Sequence, residues 1–302
     1  MRWCSDGVSR ARRTTKPVFA ATKCFSYPEH IGVRIPAGTL LLINAHYINA
    51  TGKVLEPEIA INLHTVPEKE LEQEGGLIFW YNPFIKVPAN GESETPASCP
   101  IDDDIHITNA QSHMHRRGVD YAATIIDPDG ERNMFYASDR WEDVMVESYE
   151  PSLEVPAGSR VEWRCGYENK SGTEIYQGAR STDEMCMLIG AYYPRKDEIG
   201  FCFGEKRGPF MRAQWNIGQG TATCKESFSC VVAANLKYGS MDGTTTGRGA
   251  QALTSAITDC LLASDPKLAA PVSDMIGCLA SAPSDVDPIA NCTQEIDVCN
   301  GQ

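Results

Sequence analysis

Up to Cys202 the hydrophobic positions fall in short runs, apolar or alternating, and not in long helical stripes. Tyr121 to Ile126, Val144 to Glu150 and Met187 to Tyr193 are such runs, set apart by turn signals such as Asp127-Pro128-Asp129-Gly130. That pattern predicts antiparallel strands joined by tight loops. The chain also repeats itself at an offset of 120 residues, with Ile35-Pro36-Ala37-Gly38-Thr39 beside Val155-Pro156-Ala157-Gly158-Ser159. Tyr47 then falls on Tyr167, Asn49 on Asn169, Thr51 on Ser171 and Gly52 on Gly172, and Glu58 to Ile61 resembles Glu184 to Met187 after a small length change. Two copies at so long a period read as two homologous β domains and not as a solenoid. The expected fold is all-β: two antiparallel β-sandwich, jelly-roll-like domains in tandem, residues 1–90 and 91–203, with the Pro/Gly/Ser-rich stretch Val87 to Pro100 as linker.

Past Cys202 the period changes. Leu253, Ala256, Ile257, Cys260 and Leu261 follow helical spacing, as do Leu268, Val272, Met275, Ile276 and Leu279. The same stretch holds Cys224, Cys230, Cys260, Cys278, Cys292 and Cys299. Residues 204–302 are therefore expected to form a small helical appendage stapled by disulfides, whose pairing and partner stay open.

Composition narrows the function. A chain of 302 residues with 42% hydrophobic positions can bury more than one core. A formal charge of -13 argues against nucleic acid or an anionic membrane as partner. No apolar run reaches the roughly 18 residues of a membrane span, and Met1 to Lys23 lacks the apolar core of a signal peptide. Twelve cysteines nonetheless indicate an oxidising compartment. The expectation is a secreted or periplasmic/extracellular protein whose signal sequence is not present in this chain, so that Met1 is not the true start. The sequons at Asn49, Asn169 and Asn291 are compatible with export.

Candidate chemistry centres on Gln111-Ser112-His113-Met114-His115-Arg116-Arg117-Gly118. Residues two apart on a strand share a face about 6.7 Å apart, from which two imidazoles can converge on one ion. Met185, ahead of the apolar run Cys186-Met187-Leu188, adds a thioether in the same domain, and two imidazoles with a thioether suit copper, Cu(I) above all. The other repeat carries Ile59 where this one has Met185. Asp183 and Glu184 flank the methionine and are candidates for orienting ligands. Asp102-Asp103-Asp104 reads as a solvated loop, and His106 as structural.

These residues carry a resemblance. Gln111 to Val119, Cys165 and Asp183-Glu184-Met185-Cys186-Met187-Leu188 through Tyr192-Tyr193-Pro194 resemble the catalytic domain of the copper type II, ascorbate-dependent monooxygenases, the family of peptidylglycine alpha-hydroxylating and dopamine beta-monooxygenases. Leu41 to Tyr47, with Ile59 to Val66, resembles the end of that family's first domain. The resemblance implies His113, His115 and Met185 as ligands of the oxygen-activating copper. It implies His46 as one ligand of a second, electron-transfer copper, and disulfides Cys165–Cys186 and Cys99–Cys202. Two copper ions and ascorbate or another electron donor are the implied cofactors, and dioxygen and a small organic molecule the substrates.

Departures qualify the expectation. The second copper would need a His-His pair, and the six histidines, His30, His46, His64, His106, His113 and His115, include no adjacent two. Gln111 stands where the peptide-amidating branch has an arginine, and Met187 and Ile189 where it is polar, so a less polar substrate is expected. The leading reading is a copper monooxygenase that hydroxylates a C–H bond of a small organic substrate. The alternative is a non-catalytic secreted copper-binding protein that retains only the His-x-His/Met site.

Overall fold

The computed structural model describes residues 2–8, 22–41, 49, 52–54, 56, 58–142, 144–202, 218–239, 247–281 and 286–301. The strands are β1 (Arg2–Val8), β2 (Thr22–Ser26), β3 (Ile31–Gly32), β4 (Glu58–His64), β5 (Gln73–Glu74), β6 (Gly76–Tyr81), β7 (Lys86–Val87), β8 (Gly91–Pro100), β9 (Ile105–His113), β10 (Gly118–Ile126), β11 (Arg132–Ser138), β12 (Glu147–Val155), β13 (Arg160–Asn169), β14 (Ile175–Tyr176) and β15 (Met187–Tyr193). Helices follow as α1 (Asp197–Gly200), α2 (Cys224–Tyr238), α3 (Gly247–Leu262), α4 (Ala269–Ser281), α5 (Pro288–Asn291) and α6 (Thr293–Cys299).

Two four-stranded antiparallel sheets, β11-β10-β13-β8 and β12-β9-β15-β6, build the central sandwich. Its strand order interleaves two Greek keys. Alternation explains which faces meet. Along β13, Val161, Trp163, Cys165 and Tyr167 point inward, and along β6 Ile78 and Trp80 do. Trp80 and Trp163 meet between the sheets with ring centroids 5.8 Å apart. The Cys165–Cys186 disulfide lies in the same core, and Cys99–Cys202 joins β8 to the residues after α1.

The repeat survives as local structure. Gly38 and Gly158 occupy the same turn at φ 82° and 87°, a conformation that favours glycine. Thr39 donates its amide to Pro36 as Ser159 does to Pro156. Asn49 caps the carbonyl of Lys53 and Asn169 that of Thr173, each four residues on. Among the described residues, those before Gly76 form the sheets β2-β1-β4 and β3-β5 and not a second sandwich, so a tandem of two is not established.

Three details correct the expected boundaries. β6 pairs with β15, so the sandwich begins at Gly76 and not at residue 91. Gly91–Pro100, expected as linker, is strand β8. It lies at the edge of its sheet, where one side of the backbone needs no partner and Pro96 is tolerated. Val144 to Glu150 becomes strand only from Glu147.

The C-terminal helices form as their periodicity predicts. A capping box between Thr223 and Glu226 starts α2, and disulfides Cys224–Cys299, Cys230–Cys260 and Cys278–Cys292 staple the bundle. The bundle is no loose appendage: one buried apolar cluster runs from Trp80, Trp163 and Val87 to Leu261, Val272 and Met275.

Candidate metal centre

His113 is the last residue of β9, and His115 follows in the turn that leads to β10. Their rings lie 5.3 Å apart at 85°. Met187, the first residue of β15, pairs with His113, the last of β9, so His115 and Met185 each lie two residues beyond the end of that ladder. Contacts hold the two segments together there. The His115 amide donates to Glu184 Oε2 at 3.0 Å, and His115 Nδ1 lies 3.1 Å from the carbonyl oxygen of Asp183. Since a carbonyl only accepts, Nδ1 carries the proton and the ring lone pair sits on Nε2. Burial, and then the neighbouring His115, lowers the pKa of His113, which favours the neutral form of that ring.

Glu184 is fully buried and ties the two segments. Besides the His115 amide it accepts the Arg117 amide at 2.9 Å on Oε1, and the Arg117 guanidinium stands 3.9 Å away. Burial pushes its carboxyl up to about 7, against the lowering pull of those amides and of Arg117. Arg117 is itself buried, donating Nε to Asn169 Oδ1 and an NH1 hydrogen to the Thr182 carbonyl. Tyr167 donates its hydroxyl to the Met185 carbonyl at 2.7 Å, and the next residue, Cys186, is fastened by its disulfide to Cys165 on β13. The backbone on both sides of Met185 is thus pinned. Arg117 and Tyr167 escaped sequence reasoning; the signal for Arg117 was its place two residues beyond the second histidine.

The sheet face around His113 is ordered in rows across β6, β15 and β9. Tyr81, Met187 and His113 form one row, and Phe79, Ile189 and Gln111 the next. Neither row holds a charge. Phe79 is exposed and meets the ring of Phe201 edge-on at 6.0 Å.

Other expected residues lie elsewhere. His46 falls outside the described residues. His106 stacks on Tyr193 at 4.8 Å. Asp104 accepts the Ala157 amide and Asp103 pairs with Lys196, so this acidic loop is engaged with protein groups. Asn169, one of the sequon asparagines, is buried with its side chain bonded to Arg117, Ser171, Pro88 and Thr173. Cys278, Cys292 and Glu295 lie close enough to hold an ion, but the two sulfurs are joined to each other. A cavity of about 680 Å³ between Gly32–Ala37 and Thr65–Glu74 contains none of the expected ligands.

Two imidazoles, one oriented by a backbone carbonyl, and a thioether on a pinned backbone fit copper. The model for the copper type II ascorbate-dependent monooxygenase C-terminal domain matches residues 77–213. No curated protein matches the chain. A solved structure of infectious bursal disease virus, Gx strain, is similar at 10% identity with a TM-score of 0.19, over 66% of this chain. The match spans 52% of that viral chain, and a likeness so slight carries no argument.

Proposed function

We propose, because residues 77–213 match the model of the copper type II ascorbate-dependent monooxygenase C-terminal domain, that His113, His115 and Met185 hold a copper ion at which a C–H bond of a small organic substrate is hydroxylated. The observation that carries this reading is the convergence of His115 and the Met185 segment through Asp183 and Glu184. When bound, copper would supply the reduction of dioxygen by two electrons from a donor such as ascorbate, with one oxygen atom going to the substrate and the other to water.

The chain's own groups do the rest. The Asp183 carbonyl holds the His115 ring in the tautomer that presents Nε2, and burial favours the unprotonated form of His113. Glu184, Arg117 and the disulfide restrain the backbone on both sides of Met185, which supports a thioether held in one position. The uncharged rows carrying Met187, Ile189, Phe79 and Gln111 favour an apolar substrate with a polar edge and disfavour one bearing a carboxylate. In this reading His46 serves a second copper, and the disulfides support an oxidising compartment.

X-ray absorption of the copper-loaded chain is expected to show a sulfur scatterer that disappears in Met185→Ala. No sulfur in the parent protein overturns the assignment. A second reading of the same donor set is copper binding without hydroxylation. Oxygen uptake driven by ascorbate in the presence of apolar candidate substrates separates the two, since only the enzyme couples uptake to a hydroxylated product.

A further inference from the structure

Helix α3 lies outside the matched residues yet touches the segment that presents Met185. Gln251 donates Nε2 to the Gln177 carbonyl at 3.0 Å. One face of the same helix carries Asp259, whose carboxylate takes the Lys86 ammonium at 2.7 Å and the Tyr176 hydroxyl at 3.1 and 3.2 Å. Tyr176 and Gly178, the neighbours of Gln177, are in turn the backbone partners of Glu184: the Glu184 amide donates to the Tyr176 carbonyl at 3.0 Å, and the Gly178 amide to the Glu184 carbonyl at 3.1 Å. An unbroken run of hydrogen bonds therefore leads from α3 to the residue before Met185.

The approach is close as well as bonded. A methyl group on Gly178 would come 2.3 Å from Asp183 Oδ2 and 2.6 Å from Gln251 Nε2, so the 177–183 loop is clasped between α3 and its own return. The helix cannot yield easily, because Cys260, next to Asp259, is bonded to Cys230 of α2. Beside the clasp is a cavity of about 560 Å³ walled in part by Phe84, Arg180, Leu253 and Ile257.

We propose that Gln251 and Asp259 are positioning residues for the metal centre: the C-terminal helices act as a fixed brace that sets the 176–184 segment, and through it Met185, against His113 and His115. This inference rests on the ligand assignment above. Residues that orient metal ligands from outside typically change affinity about 10- to 100-fold when removed.

The test compares the full chain with Gln251→Ala, Asp259→Asn and the conservative Asp259→Glu. Cu(I) affinity is measured by competition with a chromophoric chelator, sulfur ligation by X-ray absorption, and backbone amide exchange over 176–186 in the metal-free proteins. The expected result is a loss of about tenfold in Cu(I) affinity in Gln251→Ala and Asp259→Asn, with a weakened sulfur signal and faster exchange over 176–186. Asp259→Glu should restore most of both. Unchanged affinity, sulfur signal and exchange in folded variants overturn the brace, as does a lower melting temperature with no change in these three. A parent protein that binds copper without sulfur overturns the ligand assignment itself and the brace with it, and that failure is visible before any variant is made.

Discussion

Glu184 shows what a single buried charge must gather around it. The His115 and Arg117 amides, the Met185 amide and the Arg117 guanidinium all serve this one carboxylate. Glu184→Gln keeps the shape but turns one acceptor into a donor facing an amide hydrogen, and leaves Arg117 without its counter-charge. Removing one member of a buried pair costs about 3 kcal/mol, and urea denaturation of the metal-free variant should show a loss of that order. Asn169 carries a different lesson: in sequence it is one glycosylation triplet among three, whereas in the fold its side chain is sealed and fully bonded. Peptide mapping of protein from a glycosylating host is therefore expected to find Asn169 unmodified. A glycan there would contradict the packing around Arg117.

Among elements, β8 and the 177–186 segment repay comparison. The sequence of β8 reads as a linker because Pro96, Pro100 and its polar residues resemble a turn-rich stretch, but an edge strand answers to one neighbour only. The 177–186 segment is irregular yet held at close intervals, by the Gln177–Glu184 bridge, the Tyr167 hydroxyl and the Cys165–Cys186 bond. Replacing both cysteines by alanine should cost about 2–4 kcal/mol in stability. It should also lower Cu(I) affinity, because Cys186 adjoins Met185. Gly178→Ala places a methyl where Asp183 and Gln251 already stand. Chelator competition is expected to show weakened Cu(I) binding in that variant, although residue 178 ligates nothing.

For the whole molecule, the continuous apolar cluster between sandwich and helices implies that the two share one stability. Calorimetry of the full chain is expected to show a single cooperative transition for residues 76–301; two well-separated transitions would mean that the helical bundle folds independently. Much of the fold was legible in the sequence: the strand character of residues 121–126 and 187–193, the helical period of α3 and α4, and the paired turns at Gly38 and Gly158. Each is a matter of local period or of one residue's backbone freedom, which a linear string records directly. Only the tertiary structure decided how the C-terminal cysteines pair, that Asn169 is sealed, that β6 and β8 belong to the sandwich, and that Gln251 reaches Gln177. Those outcomes depend on which distant segments share a core or a sheet edge, and neither polarity nor spacing along the chain encodes that choice.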